Sequence, residues 1–286
     1  MAQERWTVLK ALNWTTEYFR QKGMENPRLE AEVLLAHLLG LDRMGLYLNY
    51  DKPLKEEERK AYREMIQRRT AWEPIAYILG YKEFWSLKFK VNPECLIPRP
   101  ETEHLVEEAL RIGGQLPPPL RVLEIGTGCG AVAIVLAKEL KEAQIVATDI
   151  SPHALSLAQE NARCHGVGER IKFVQGDLFP RGEAPFCLIV SNPPYIPTEE
   201  VFQLAPEVRD YEPLTALDGG EDGLRFFRKI AQEAPSYLVE GGWVLLEMGK
   251  GQASKVADIL KEAGFTQIEL IPDYSGIKRV ARAQRG

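Results

Sequence analysis

The residues with the clearest chemical use are Asn192-Pro193-Pro194-Tyr195, which follow an apolar run at residues 186–190 that is typical of a buried strand. The tetrapeptide therefore lies where a strand ends and its loop begins. Its two prolines lack a backbone N–H and hold φ near one value, so the turn is rigid. A rigid turn that presents the Asn192 amide, nearby carbonyl oxygens and the Tyr195 ring suits a flat group carrying an NH2, because the oxygens accept its hydrogens while the ring stacks on its plane. A proline-stiffened loop without chemistry is the alternative.

A glycine-rich loop, Gly126-Thr127-Gly128-Cys129-Gly130, follows an earlier apolar run at residues 122–125. Glycine lets the backbone turn sharply and lets a ligand approach without a Cβ in the way. Asp149 ends the next predicted strand, where a carboxylate accepts hydrogen bonds from both ribose hydroxyls of a nucleoside. Asp177 ends a third strand, where it can accept from an adenine amino group. Open α/β sheets bind ligands beyond the carboxyl ends of their strands, so these residues predict a nucleoside site beside the tetrapeptide.

The glycine loop also fits a dinucleotide-binding protein, because Gly126, Gly128 and Ala131 satisfy the pattern G-x-G-x-x-G/A. A nicotinamide or flavin enzyme is therefore one alternative, and a purely structural turn is another. Three features favour S-adenosyl-L-methionine as the cofactor: a third glycine at Gly130, the acid Asp177, and the tetrapeptide at the end of a fourth strand, beside the place where the methyl group would point.

Strand-like and helix-like segments alternate from residue 120 onward, which predicts a doubly wound, Rossmann-like α/β domain with helices on both faces of a parallel sheet. The predicted strands are residues 122–125, 145–148, 171–174, 187–190 and 244–247. The predicted helices are residues 131–140, 152–165, 223–238 and 253–263. Two further strands, residues 268–271 and 279–283, flank a turn and predict an antiparallel hairpin at the sheet edge.

The first part of the chain has a different pattern. Apolar residues at helical spacing, the helix start Asn26-Pro27 and the stop Gly40 predict a small helical-bundle domain over residues 1–73. Residues 74–98 change period and predict a β-hairpin linker. The predicted organisation is thus a helical N-terminal domain, a linker at 74–98 and an α/β domain at 99–286.

The composition limits the possible classes of function. The 286 residues include 36 Lys and Arg against 41 Asp and Glu, and this net charge of −5 argues against a protein whose main task is to bind nucleic acid. The four cysteines form no CxxC pair and no Cys or His cluster has zinc-ligand spacing, so we expect no metal site. The N-terminus lacks a signal-peptide core and no apolar stretch approaches about 18 residues, so we expect a cytoplasmic protein without a membrane partner.

The glycine loop and the tetrapeptide occur together with a third motif, Ile97-Pro98-Arg99-Pro100-Glu101-Thr102-Glu103. In this combination the chain resembles the PrmC/HemK family, the peptide chain release factor glutamine methyltransferases. The segments 74–80 and 218–224 also fit the pattern of that family. The resemblance runs from about residue 74 to the C-terminus, and the 97–103 stretch is more family-specific than the tetrapeptide.

The resemblance implies a class I methyltransferase domain that transfers a methyl group from S-adenosyl-L-methionine to the side-chain nitrogen, N5, of a glutamine. That glutamine lies in the Gly-Gly-Gln tripeptide of class-1 release factors, which are the expected protein partner, while residues 1–73 are the expected substrate-binding domain and no direct nucleic-acid partner is expected. Catalysis is expected of Asn192, Pro193 and Tyr195, and substrate binding of the whole tetrapeptide including Pro194. The expected cofactor-binding residues are Gly126, Thr127, Gly128, Cys129, Gly130, Asp149, Asp177, Leu178 and Asn192.

Three points stay open at the level of sequence. Leu178 stands where some members of the family carry an aromatic residue against the adenine, a departure that bears on cofactor affinity. A methyltransferase acting on amino groups of DNA or RNA bases is the closest alternative enzyme, since such enzymes share the Asn-Pro-Pro-Tyr motif or close variants. A binding module that docks on translation factors without catalysis is the alternative outside enzymes.

Overall fold

The structure, a computed structural model, describes residues 6–183 and 185–286. The first five residues of the predicted helical domain lie outside that part. The chain divides into two compact units, one formed by the residues up to Gly80 together with Pro206–Tyr211 and the other by Tyr81–Ala205 together with Glu212–Gly286. The domain limits between residues 73 and 74 and between 98 and 99 stay predictions.

The first unit is a bundle of short helices. They are α1 (Val8–Gln21), α2 (Pro27–Leu39), α3 (Arg43–Leu48), α4 (Glu56–Thr70) and α5 (Ile75–Leu79). Helix α2 begins at Pro27 and ends at Gly40, whose φ of +63° suits glycine, so the two sequence signals for this helix are confirmed. Apolar side chains from all five helices fill one core, among them Leu12, Phe19, Leu34, Leu46, Tyr62 and Ile78.

Helix α5 shows that the first part of the predicted hairpin was wrong. Residues 75–79 are helical rather than extended. A short apolar run fits either period, and the helix is favoured because Ile75 and Ile78 then both pack into the core of the helical unit. Gly80, with φ of +77°, ends the helix. The antiparallel hairpin itself follows as β1 (Tyr81–Phe84) and β2 (Leu87–Lys90).

The rest of the described chain contains both helices and strands. The helices are α6 (Thr102–Gly113), α7 (Ala131–Glu139), α8 (Pro152–Cys164), α9 (Thr198–Val201), α10 (Pro206–Arg209), α11 (Arg225–Tyr237) and α12 (Ala253–Glu262). The strands are β3 (Arg121–Ile125), β4 (Gln144–Asp149), β5 (Ile171–Gln175), β6 (Phe186–Ser191), β7 (Leu238–Glu247), β8 (Phe265–Pro272) and β9 (Lys278–Arg285). Helix α10 belongs to the first unit. Over the described residues, no helix has the length and apolar character that crossing a bilayer requires.

Strands β3 to β9 form one sheet in the order β5-β4-β3-β6-β7-β9-β8. The first five strands in this order are parallel, and β9 runs antiparallel to both β7 and β8, so the predicted doubly wound sheet with a C-terminal antiparallel hairpin is confirmed. Helices α11 and α12 cover one face, and α6, α7 and α8 cover the other. The central strands are buried on both faces, which explains why the sequence shows them as continuous apolar runs.

The strand order reverses direction between β3 and β6. From β3 the chain proceeds outward to β4 and β5, and it then returns to place β6 on the other side of β3. A reversal of this kind opens a crevice at the carboxyl ends of the two central strands, where sheets of this type bind their ligands. The fold therefore points to the residues that directly follow β3 and β6.

A buried ion pair stabilises the helical unit. The Arg69 guanidinium lies 2.7 Å from the Glu30 carboxylate, and the two side chains are 5% and 9% exposed. Arg69 also pairs at 2.8 Å with Glu207, on the segment Pro206–Tyr211 that completes this unit. Removal of one partner from a buried pair leaves the other charge without compensation, which typically costs 3–5 kcal/mol.

We therefore predict that Arg69→Met lowers the free energy of unfolding of the helical unit by about 3–5 kcal/mol, because Glu30 then remains buried without its partner. Differential scanning calorimetry of the full chain measures the change. The control is Arg209→Met, which removes the arginine of an exposed pair with Asp210 and should leave the transition nearly unchanged. An Arg69→Met protein with the transition of the wild type would contradict the prediction.

Candidate active site

The carboxyl ends of four neighbouring parallel strands, β3 to β6, carry the predicted site residues. Ile125 at the end of β3 lies opposite Ser191 at the end of β6, so the glycine loop and the tetrapeptide leave the sheet side by side. Beyond these strand ends lies a cavity of about 400 Å³, a size that suits a nucleoside-containing cofactor. Its wall includes the predicted residues Gly126, Thr127, Gly128, Cys129, Asp149, Asp177, Leu178, Asn192, Pro193 and Pro194.

The three glycines of the loop have two different uses. All three adopt positive φ, at +73° for Gly126, +55° for Gly128 and +85° for Gly130. A Cβ on either of the first two would meet no atom within 4 Å, which leaves open space where a ligand can approach the backbone. A Cβ on Gly130 would lie 3.0 Å from the Cβ of Ala158, so this glycine lets α8 pack against the loop. Gly130 does not line the cavity, and its predicted contact with the cofactor stays a prediction.

The Asp149 carboxylate organises the loop and keeps acceptor capacity. Its Oδ2 accepts a 2.8 Å hydrogen bond from the Gly128 N–H, and its Oδ1 accepts one of 2.9 Å from the Ser151 N–H. Each carboxylate oxygen has a second lone pair, so both can still accept from a ribose hydroxyl. The structure therefore places Asp149 where the sequence predicted it, on the cavity wall beside the glycine loop.

Asp177 and Leu178 form the far wall of the cavity, after β5. Leu178 has a φ of +67°, and its carbonyl accepts a 2.6 Å hydrogen bond from the Thr148 hydroxyl. Leu178 lines the cavity, as predicted, and this bond fixes its backbone. Asp177 is exposed and pairs at 3.6 Å with Lys229 of α11. Its predicted contact with an adenine amino group stays a prediction.

Asn192 lies on the cavity wall with one end of its amide already bound. Its Nδ2 donates a 3.1 Å hydrogen bond to the hydroxyl of Thr102 at the start of α6. In residues 6–183 and 185–286, no group donates to the Asn192 Oδ1, so this oxygen keeps its acceptor capacity for a ligand. Thr102 itself is 6% exposed and lines the same cavity.

Charged side chains fix the segment 97–103, whose Pro98, Arg99 and Thr102 line the cavity. Glu212, which is 5% exposed, accepts from the Ile97 N–H at 3.1 Å and from the Arg99 guanidinium at 2.5 Å. Glu103 accepts a 2.8 Å hydrogen bond from the Trp85 N–H of the β-hairpin. These bonds hold the stretch that carries Thr102 against the sheet.

Tyr195 is the one residue of the tetrapeptide that does not line the cavity. Its ring packs against the core of the sheet, next to Gly249. Burial, reinforced by the nearby Glu247 carboxylate, raises the pKa of Tyr195 to about 12, so the phenol is neutral at physiological pH. Its backbone carbonyl accepts a 2.8 Å hydrogen bond from Gln252. A stacking role for the ring therefore stays a prediction.

Two glycines of the segment 218–224 lie in close contact with the backbone of the tetrapeptide. A Cβ on Gly219 would lie 2.8 Å from the Pro194 carbonyl oxygen and 2.8 Å from the Tyr195 Cα. A Cβ on Gly223, whose φ is +72°, would lie 2.4 Å from the Tyr195 carbonyl oxygen. Only glycine fits at these positions, which gives a physical reason for this segment to accompany the tetrapeptide.

Glu124 is a fully buried acid behind the glycine loop. Its Oε2 accepts a 2.6 Å hydrogen bond from the Thr127 hydroxyl and one of 3.0 Å from the Ala133 N–H. Burial raises the pKa of Glu124 to about 8, although these two hydrogen bonds oppose the shift. The negative charge of Asp149 raises it further. Glu124 is therefore largely protonated at pH 7.

Several cavity-lining residues were not predicted. Phe226 and Lys229 lie one turn apart on α11, and Cys95 lies on the segment before residue 97. The buried thiols of Cys95 and Cys129 interact, and this hydrogen bond together with burial raises the pKa of the Cys129 thiol. The spacing of three residues between Phe226 and Lys229 is the one sequence signal that could have placed them on the same face of a helix. In the described residues, no group of three or more His, Cys, Asp or Glu is arranged to hold a metal ion.

Comparisons with known proteins agree with this geometry. The chain is 51% identical to a release factor glutamine methyltransferase of Geobacter sulfurreducens, and the match covers 99% of this chain and 98% of that protein. A protein of the same description from Rhodopirellula baltica is 41% identical, with 98% and 97% of the two chains covered.

The chain belongs to the release factor glutamine methyltransferase family. A model of the PrmC N-terminal domain matches residues 10–80, and a model of the methyltransferase small domain matches residues 112–207. A methyltransferase of Pyrococcus furiosus has a similar fold, with a TM-score of 0.54, 21% identity, and coverage of 78% of this chain and 98% of that chain. This last likeness concerns the fold alone.

The cofactor of the family is S-adenosyl-L-methionine, and the residues of the cavity fit it. The open space at Gly126 and Gly128 admits a ligand to the backbone of the loop. The free lone pairs of Asp149 suit a ribose, and the cavity volume of about 400 Å³ suits a nucleoside that carries an amino-acid chain.

The buried Glu124 generates a prediction on the pH dependence of stability. A folded-state pKa of about 8, above the ordinary value of 4.5, means that the unfolded chain loses this proton first as the pH rises. The wild type should therefore lose stability relative to Glu124→Gln between pH 4.5 and pH 8, with a slope of at most about 1.4 kcal/mol per pH unit.

Urea unfolding of both proteins at pH 5 and pH 8 measures this difference. The control is Glu160→Gln, at an exposed glutamate whose lowered pKa places its titration below the range tested, so its pH dependence should match that of the wild type. Equal pH dependence in the wild type and Glu124→Gln would show that Glu124 is ionised throughout.

The close approach of Gly219 predicts that Gly219→Ala displaces the tetrapeptide backbone and lowers kcat by about 100-fold, since small misplacements at a reacting centre have effects of that order. Methyl-transfer kinetics measure the loss, with circular dichroism to verify the fold. Gly168→Ala is the matched control, because its Cβ would meet no atom closer than 3.6 Å. A Gly219→Ala enzyme with wild-type kcat would show that this contact is irrelevant to catalysis.

Proposed function

We propose that the protein transfers a methyl group from S-adenosyl-L-methionine to N5 of the glutamine in the Gly-Gly-Gln tripeptide of class-1 peptide chain release factors. The observation that carries this proposal is the placement of Asn192, which lines a cofactor-sized cavity and whose Nδ2 is bound to Thr102, so that its Oδ1 can accept from a ligand. The curated relatives named as release factor glutamine methyltransferases at 51% and 41% identity support the same reaction. Since termination takes place on ribosomes, we also propose that the enzyme acts in the cytoplasm.

The carboxamide nitrogen of a glutamine is a poor nucleophile, because its lone pair is delocalised into the carbonyl group. The site must therefore favour a nitrogen that is gaining positive charge. The Asn192 Oδ1 and the Pro193 carbonyl accept the two NH2 hydrogens of the glutamine. Such hydrogen bonds become stronger as the charge develops, so they stabilise the transition state more than the bound substrate.

Rigid positioning supplies much of the remaining rate. When bound, S-adenosyl-L-methionine supplies a methyl group on a positively charged sulfur. The tetrapeptide holds the side-chain nitrogen of the glutamine in one place. Its own backbone is restricted by its prolines and by the close contacts of Gly219 and Gly223. Well-oriented reactants gain up to about 7–11 kcal/mol from such positioning. Packing of the glutamine amide by Tyr195 is part of the proposal.

The last step of the proposed reaction is loss of a proton from the methylated nitrogen. A protonated amide nitrogen is strongly acidic, so it releases this proton to solvent without a strong base. Tyr195, with a pKa of about 12, stays protonated in this step. The side chains of the tetrapeptide therefore orient the amide and do not have to remove a proton.

The helical unit is the proposed docking surface for the release factor. It carries exposed apolar side chains on α3, where Met44 is 67% and Leu48 is 82% exposed. Exposed apolar side chains of this size are common in protein–protein contacts. The net charge of −5 supports a protein substrate over direct binding of nucleic acid.

Transfer of labelled methyl from S-adenosyl-L-methionine to a purified class-1 release factor tests the function. The control substrate carries a Gln→Ala change in its Gly-Gly-Gln tripeptide. Label on the intact factor and none on the control is the expected result. Label on DNA or RNA but not on the factor would overturn the proposal in favour of a base methyltransferase, whose activity should fall steeply with salt.

Asn192→Ala should abolish turnover while the protein still folds, because the acceptor for the NH2 hydrogens is lost. We expect kcat to fall by about 100-fold or more, by analogy with the removal of one oriented group that stabilises a transition state. Asn192→Asp should also lose activity. The same labelled-methyl assay measures both variants, and an unchanged kcat in Asn192→Ala would remove this residue from the mechanism.

A further inference from the structure

The Asn192 amide has two orientations of nearly equal shape, and one of them suits the proposed reaction. With Oδ1 at the cavity it accepts from the NH2 group of a glutamine. With Nδ2 at the cavity it would present two more hydrogens and repel that group. The structure has Nδ2 bound to the Thr102 hydroxyl at 3.1 Å, which is the productive orientation. A further interaction must therefore stabilise this orientation of the Asn192 amide relative to the other.

The Thr102 hydroxyl alone does not make that selection. A hydroxyl has one hydrogen and two lone pairs, so it can accept from Nδ2 or donate to Oδ1 with similar ease. Whether Thr102 accepts from Nδ2 or donates to Oδ1 depends on which atom accepts the hydrogen of the Thr102 hydroxyl. If a second acceptor takes that hydrogen, Thr102 can act towards Asn192 only as an acceptor, and Nδ2 must face it.

Glu247 provides the second acceptor. It ends β7, whose Leu246 lies opposite Ser191 at the end of β6, one strand away from Asn192. The Glu247 side chain is 1% exposed and interacts with the Thr102 hydroxyl. Across the described residues, its Oε2 has no hydrogen-bond partner. A buried carboxyl oxygen without a hydrogen-bond partner destabilises the folded protein, so we expect Glu247 to have a function beside Thr102.

We propose that Thr102 and Glu247 are positioning residues that fix the amide of Asn192 with its oxygen towards the substrate. The Glu247 carboxylate takes the Thr102 hydrogen, Thr102 accepts from the Asn192 Nδ2, and the Asn192 Oδ1 is thereby directed to the glutamine. This inference rests on the proposed function, because it assigns how the same site holds its acceptor oxygen.

The charge of Glu247 makes this arrangement sensitive to pH. Burial raises the pKa of Glu247 to about 7, and the nearby Glu101 acts in the same direction. The Thr102 hydroxyl, Arg279 and Arg99 oppose the shift. Arg279 is itself paired with Asp273 at 3.1 Å, and Tyr195 also faces the carboxyl group. A protonated Glu247 can donate to Thr102, which frees the Thr102 hydrogen for the Asn192 Oδ1 and favours the unproductive orientation.

The first test separates the hydroxyl of Thr102 from its size. Thr102→Val has the same shape without the hydroxyl and should lower kcat on a purified release factor on the order of 10- to 100-fold, since the amide is no longer oriented. Thr102→Ser restores the hydroxyl and should recover most of that loss. Thr266→Val, the same change on the edge hairpin, is the matched control and should keep wild-type kcat. Equal kcat in Thr102→Val and the wild type would overturn the proposal.

The second test concerns the charge of Glu247. In the wild type, kcat should rise with pH through about 7 as Glu247 ionises, whereas Glu247→Gln should have a lower kcat without this rise. Glu247→Gln should fold, because a neutral amide is easier to bury than a carboxylate. A Glu247→Gln enzyme that keeps the wild-type pH profile would overturn the role of Glu247.

A readout without turnover keeps this inference separate from the proposed function. In the free protein, the NMR signal of the Asn192 side-chain amide should shift with pH near 7, and Glu247→Gln should remove that shift. A pH-independent Asn192 signal in the wild type would overturn the positioning role even if the release factor is methylated. The expected pH response together with no methylation of any release factor would instead refute the substrate and leave the hydrogen-bond assignment in place.

Discussion

The parallel pairing of β3 with β6 is the constraint on which the site depends. In this register Ile125 lies opposite Ser191, so the glycine loop and the tetrapeptide begin at adjacent points on one edge of the sheet. Both strands are buried on both faces, and a slip of one residue would turn each side chain to the opposite face. The sheet therefore fixes the distance between the glycine loop and the tetrapeptide, and the proposed methyl transfer requires that the groups bound by these two loops lie in contact.

Strand pairing brings the loops together, and segments from elsewhere in the chain give them their exact shape. Thr102 forms a hydrogen bond with the Asn192 amide, and Gly219 lies in close contact with the tetrapeptide backbone. Glu212 holds the segment that carries Thr102. The common effect is to restrict the Asn192 amide and the tetrapeptide backbone, which carry the two proposed acceptor oxygens, before the substrate arrives. For a weak nucleophile such as an amide nitrogen, dipoles that are already oriented avoid the cost of reorganisation during the reaction.

Much of the fold followed from the sequence, because buried parallel strands leave continuous apolar runs with polar or glycine residues at their ends. Gly126, Gly128, Asp149 and Asn192 were found by that signal and lie on the cavity wall. The helix at residues 75–79 was missed because a short apolar run has no distinctive period. The pairing of Thr102 with Asn192 was out of reach, since the two residues are 90 positions apart and no local pattern joins them. The position of the Tyr195 ring depends on packing that sequence does not encode locally.

The most direct test of this account is a crystal structure of the protein with S-adenosylhomocysteine and a class-1 release factor. We predict that the side-chain nitrogen of the Gly-Gly-Gln glutamine lies about 3 Å from both the Asn192 Oδ1 and the Pro193 carbonyl oxygen. The Asn192 Nδ2 should remain on Thr102, as it is in the free protein. A glutamine bound away from these two oxygens, or an Asn192 amide turned with its nitrogen towards the substrate, would contradict the account.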